Sequence, residues 1–166
     1  MFSGVITENL KGKMGLLRAS ISVKVAAVNK RENIMLRDLA LAAKAACSQE
    51  DQESLVSIVR ILKDLGDKVK KRGILSLEEE QSSIEDRFFR IGLQLIIDQS
   101  APEIVRDILD SDIYYNESNG RELLKKIIIR EGLLHIQAGD TARNILLCTR
   151  IFLGKVDVAT FDRLYG

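Results

Sequence analysis

Tryptophan is absent from this chain of 166 residues, proline and histidine occur once each, and cysteine occurs twice. Each scarcity removes a class of function. With no Trp, five Phe and three Tyr, few side chains can stack on bases, and a formal net charge of +1 supplies no global attraction for phosphates. Nucleic acid is not expected as a partner. Cys47 and Cys148 stand apart, without the Cys-x-x-Cys spacing of a metal or redox pair, and each reads as a buried small hydrophobe. His135 has neither a second His nor a Cys to complete a ligand set, although Glu131 four residues earlier shares its helix face. No metal is expected. Long apolar runs are missing too, since no uncharged run reaches half of the ~18 residues that a membrane helix requires. The N-terminus shows no secretory leader, and the two features together predict a cytoplasmic chain.

Signatures of catalysis are equally sparse. The segment Leu10-Lys11-Gly12-Lys13-Met14-Gly15 lacks the spacing of a phosphate-binding loop. No nucleophile or oxyanion motif accompanies the acidic group Glu78, Glu79, Glu80, Glu85 and Asp86, which reads as a solvated face. The chain is therefore read as a non-enzyme without a cofactor. An enzymatic alternative would need a deep pocket of convergent polar groups.

What the sequence does hold is helical punctuation. Hydrophobic residues at 46% and charged residues at 30% are ordinary for one globular domain, and a chain this long can bury a core of its own. Four Ser-x-x-acid boxes, at Ser48/Asp51, Ser76/Glu79, Ser83/Asp86 and Ser100/Glu103, mark helix starts. From Ser48, Leu55, Ile58, Val59, Leu62, Leu65 and Val69 keep the three-and-four spacing of one buried stripe. That helix stops at Lys70-Lys71-Arg72-Gly73, with cations at its negative end and a glycine for the closing turn. The segment from Glu85 through Ile97 is apolar nearly all round and is expected to be the central helix. Pro102 suits a first helical turn, Asn119-Gly120 a turn, Gly139 and Gly154 helix ends, and Asp140 and Asp157 caps.

Asn33 to Cys47 reads as helix. Leu17, Ile21, Val25 and Val28 lie on one helical face, but Ile21, Val23 and Val25 also alternate as in a strand, and helix is favoured only because the rest is helical. The expected architecture is all-α: a single compact domain of about six to eight helices over 32–166, with a basic N-terminal arm or helix over 1–31. In that arm Lys11, Lys13, Arg18, Lys24, Lys30 and Arg31 face a single acid, Glu8. Two readings of it stay open, peripheral contact with an anionic membrane surface and a polar-faced helix packed on the domain.

Three blocks carry a resemblance to a known family. Gly73-Ile74-Leu75-Ser76-Leu77-Glu78 leads to Gly92-Leu93-Gln94-Leu95-Ile96-Ile97-Asp98 and Pro102-Glu103-Ile104-Val105-Arg106-Asp107-Ile108-Leu109, and later come Glu131-Gly132, Ile136-Gln137 and Gly139. In order and spacing they resemble the cytoplasmic part of flagellar stator proteins of the MotA family, over about Ser54 to Leu153. The family's proline after the last block is replaced by Thr141 or Ala142, while Arg143 remains. The family's third and fourth membrane helices would fall between about Ile113 and Leu124, where this chain has Tyr114-Tyr115-Asn116-Glu117-Ser118-Asn119-Gly120. A turn stands in place of a membrane hairpin, and with it go the prolines and polar lining that couple ion flow to movement.

The resemblance implies a soluble, stator-associated motor protein that conducts no ions unless another subunit supplies the path, and that contacts rotor or stator components. In the family a basic residue before the Gly-x-Leu-x-Leu turn and an acid after it face charged residues of the rotor protein FliG. Lys70 and Glu78 take those places, with Lys71, Arg72 and Glu79 as neighbours. The same charges also complement helix dipoles and would need no partner for that. Family stators assemble through membrane helices, so a monomer or weak dimer is expected here. A helical adaptor or regulator of another complex is the alternative.

Overall fold

Side-chain caps set several of the helix starts. Ser48 accepts from the Asp51 amide while Asp51 reaches back to the Ser48 amide, and Asp86, Thr141 and Asp157 accept from Phe89, Asn144 and Thr160. The computed structural model describes residues 39–166, and among them all regular structure is helical. Residues 39–44 are helical, followed by α1 (Gln49–Ser54), α2 (Val56–Arg72), a 3-10 turn (Ile74–Ser76), α3 (Leu77–Gln81), α4 (Arg87–Ile97), α5 (Pro102–Tyr115), α6 (Gly120–Gln137), α7 (Ala142–Arg150) and α8 (Val158–Tyr165). The expected all-α class is what the body of the chain, residues 44–166, adopts. The basic arm over 1–31 and the first part of the helix expected over 33–47 lie outside the described residues.

The central helix is α6, not α4 as expected. Leu123, Leu124, Ile127, Ile128, Ile129, Gly132, Leu133 and Ile136 are buried around most of its circumference, and α2, α4, α5 and α7 all pack on it. By contrast α4 exposes Arg87, Arg90 and Gln94, whose polar heads take the fourth side of a helix that its apolar residues suggested was surrounded. Glycines let the helices approach closely. A Cβ on Gly132 would fall 2.5 Å from Leu62 of α2, one on Gly92 2.3 Å from Leu133, and one on Gly66 2.2 Å from Ile145.

Polar links close the edges. Arg130 joins α6 to α5 through Asp110 at 2.5 Å and also holds Glu131 at 2.6 Å, while Lys126 reaches Asp112 at 2.5 Å. The last helix is fastened by its rings: Phe161 stacks on Tyr165, Arg150 lies over Phe161 at 4.3 Å, and Arg60 lies over Tyr165 at 5.6 Å. Four residues, 116–119, join α5 to α6, and no helix among the described residues is long and apolar enough to cross a membrane.

Several local expectations change. The helix from Ser48 breaks at Leu55, whose amide bonds back to Gln52 and Glu53, and restarts as α2. Ser76 does not cap α3, because its hydroxyl donates to the Gly73 carbonyl at 2.6 Å and tightens the turn instead. Ser83 likewise donates to the Glu80 carbonyl, leaving Asp86 as the cap of α4. Ala101 takes the cap position before Pro102, so Ser100 is displaced by one residue. Thr141 caps α7, while Asp140 accepts from His135 at 2.6 Å. Cys47 and Cys148 are half-buried, Cys47 because it lies in the connection before α1 where its carbonyl receives the Lys155 ammonium at the surface.

Candidate functional site

The charged blocks meet because α2 ends where the chain reverses. Gly73 closes α2 with φ 81° and ψ 170°, a conformation that is essentially restricted to glycine, and its amide bonds to the Val69 carbonyl. A Cβ there would meet nothing within 4 Å, so backbone geometry and not space demands the glycine. The 3-10 turn then drops Leu77 into the core, fully buried, and starts α3 with Glu78, Glu79 and Glu80. Cations at the negative end of α2 and carboxylates at the positive end of α3 are thereby set on one surface.

Within that surface the charges divide into a fixed set and an open set. Glu79 accepts from Lys68 at 2.8 Å and from both terminal nitrogens of Arg72 at 3.2 Å, while Lys68 also reaches Glu80 at 2.6 Å. The Lys68 hydrogen bond, with the Arg72 charge behind it, holds the Glu79 carboxyl below the usual carboxylate range. The Glu79 and Glu80 hydrogen bonds hold Lys68 above the usual lysine range. Lys70 donates to the Gly139 carbonyl at 3.2 Å, which ties the end of α2 to the end of α6. Lys71 and Glu78 are exposed, and neither side chain has a hydrogen-bond or ion-pair partner among the described residues.

Of the five residues the sequence singles out, Arg72 and Glu79 form one ion pair, Lys70 anchors the end of α2, and Lys71 and Glu78 face solvent. Lys68 was missed, yet it lies four residues before Arg72 on the same helix face, and that spacing is a readable sign that both could grip one acid. Two exposed cations on α4 were missed as well. Glu78 opens onto a shallow groove of about 470 Å³ lined also by Gln81, Ser82, Arg87, Arg90 and Gln94. The only histidine is engaged with Asp140, and Glu131 is held by Arg130, so the pair on one helix face does not converge. Among the described residues no group of three or more His, Cys, Asp or Glu could hold a metal ion.

The described residues thus present a charged end, at the turn between α2 and α3, on a helical body. Comparison with known proteins adds to this. The chain is 44% identical over 54 residues to motility protein A of Borreliella burgdorferi, which is 32% of this chain and 21% of that protein. It is 33% identical over 60 residues to motility protein A of Treponema phagedenis, 36% of this chain and 23% of that protein. It is 34% identical over 79 residues to the uncharacterized protein YtxD of Bacillus subtilis, 48% of this chain and 28% of that protein. The chain is thus MotA-like over these partial stretches, and each match spans under a third of the relative's length. No family model matches the chain, and no solved structure matches it.

Proposed function

We propose that this is a non-enzymatic, stator-associated protein of the flagellar motor, and that it acts by binding a motor component through the end of α2 and the start of α3. The rotor protein FliG is the first candidate partner and a stator subunit the second. The observation that carries the reading is the division of charge at Gly73. Lys68 and Arg72 clamp Glu79 and fix the shape of the turn, while Lys71 and Glu78 are left exposed beside Lys70. Exposed charges of both signs on a fixed frame steer encounter and set register, and exposed pairs are individually weak enough to release. A stepping contact needs both properties. The motility protein A relatives support the motor as the setting.

The test is a pull-down of the FliG C-terminal domain by the native chain, by Lys70→Glu and by Glu78→Lys. Binding by the native chain with loss in both variants is expected. Failure of the native chain to bind FliG would overturn direct rotor contact, and unaltered swimming after deletion of the gene would favour a helical adaptor outside the motor.

A further inference from the structure

A second groove, of about 390 Å³, shares no lining residue with the Glu78 groove. Its lining is of another kind. Ile58, Ile61 and Leu65 of α2, Ile84 of the turn and Phe89 of α4 give it apolar walls, and every charged residue that lines it is an acid: Glu80, Glu85 and Asp86. Ile61 is 38% exposed in this lining, although its neighbours Leu62 and Leu65 on the same helix are buried. Two of the acids already hold cations, since Glu80 pairs with Lys68 and Asp86 with Lys125 at 2.8 Å. Both lysines are shared with further carboxylates, Lys68 with Glu79 and Lys125 with Glu122 at 2.7 Å, and those outer acids are held in turn by Arg72 at 3.2 Å and Arg121 at 2.7 Å. Glu85 is exposed, with no ion-pair partner among the described residues.

We infer that this groove is a docking site for a basic amphipathic helix of a partner protein, which seats an aliphatic side chain against Ile61 and sets flanking Lys or Arg beside Glu85 and Glu80. The walls select an apolar anchor because covering Ile61 and Ile58 removes apolar surface from water. The rim selects the sign of the partner's charge, because a basic flank meets the unpaired Glu85 carboxylate beside two others and an acidic flank is repelled. This contact is separate from the Lys70 and Glu78 surface, and either can fail without the other.

The probe is a fluorescein-labelled 18-residue helix of leucine and lysine with one apolar face, read by anisotropy against the full chain. Two further peptides are its comparators: one of identical composition scrambled to lose the face, and one with glutamate in place of lysine. The amphipathic basic helix is expected to bind best, with binding weakened about tenfold by Ile61→Glu and less by Glu85→Lys. Circular dichroism of both variants checks that they fold, and Ile61→Ser serves as the milder variant if Ile61→Glu does not. Equal binding of the scrambled peptide, equal binding of the glutamate peptide, or an affinity untouched by Ile61→Glu and Ile61→Ser would each overturn the inference. So would sedimentation showing a native dimer that Ile61→Ser dissociates, because the groove would then belong to a second copy.

Discussion

Gly132 of α6 lies against Leu62 of α2 so closely that a Cβ on the glycine would fall 2.5, 2.7 and 2.9 Å from the two Cδ atoms and Cγ of that leucine. Leu62 is fully buried, so the whole side chain, and not only its tip, would have to move without free space to enter. The glycine of the Glu-Gly pair in the last resembling block is therefore a packing requirement at the centre of the body. Two effects oppose each other in Gly132→Ala: alanine gains ~1 kcal/mol of helix propensity, and overpacking costs about 1–3 kcal/mol. The clash is expected to win, and urea unfolding followed by circular dichroism should show a lower midpoint at unchanged slope. Leu62→Ala alone should cost about 2–5 kcal/mol, and the double variant less than the sum, because each change relieves what the other creates.

Gly73 presents the converse case, in which space is free and the backbone is not. With φ 81° and ψ 170° it occupies a region that side chains other than hydrogen rarely enter. Gly73→Ala is expected to destabilise the fold by about 1–3 kcal/mol, even though the added methyl meets nothing within 4 Å. Thermal unfolding measures the loss. If the glycine's role is the turn between the two charged ends, the variant should also weaken capture of the FliG domain beyond what its lower melting temperature explains.

These two glycines show what could be read in the sequence and what could not. Gly73 was legible because Lys70, Lys71 and Arg72 precede it, a local chemical pattern that names a helix end by itself. Asp157 and Ser48 were legible as caps for the same reason. Leu55 was not, since the break between α1 and α2 leaves the apolar spacing intact and shows only in hydrogen bonds. Ser76 was misread because its hydroxyl had two carriers of opposite role within reach, an amide ahead and the Gly73 carbonyl behind, and the tight turn favoured the carbonyl. The mistaken centre has a tertiary cause. Arg87, Arg90 and Gln94 interrupt α4 on one side only, whereas Lys125, Lys126 and Arg130 of α6 are largely covered by pairing with Asp86, Asp112 and Asp110, and no count of apolar residues distinguishes a paired cation from a solvated one. Of the pairing within Lys68, Arg72 and Glu79, the shared face of the two cations is readable in the spacing, but the choice of Glu79 as their acid is not, because it joins two helices through a turn.

Asp86 links stability to pH from the acid side. Burial raises its carboxyl pKa, but the hydrogen bonds from Lys125 and from the Phe89 amide outweigh burial and leave it below the usual carboxylate value. A depressed folded value means that the stabilisation is fully present above the unfolded pKa of ~3.9 and is lost as pH falls through the lower folded one. Lys125 behaves in the opposite sense: burial lowers it, the bonds to Asp86 and Glu122 raise it further, and its contribution is lost only as pH rises past its raised folded value. Asp86→Asn keeps a capping oxygen and removes the charge, so its melting temperature should lie below native at pH 7 and start to approach native only as pH falls below about 4. Asp86→Ala also removes the cap and should cost about 1 kcal/mol more, a difference that persists in acid.

Adjacent glutamates at the start of α3 are expected to answer differently to the same substitution. Glu79 is held by Lys68 and Arg72, so Glu79→Lys should lower the melting temperature by placing a third cation beside two others. The loss should shrink in 1 M salt, where the screening length falls to ~3 Å. Glu78 has no partner among the described residues, and Glu78→Lys should leave stability within about 0.5 kcal/mol of native while abolishing capture of the FliG domain. The pairing of effects is what distinguishes a binding charge from a structural one. If Glu78→Lys lowered the melting temperature as much as Glu79→Lys and left binding intact, the exposed acid would serve only the dipole of α3, and the contact surface would have to be sought elsewhere.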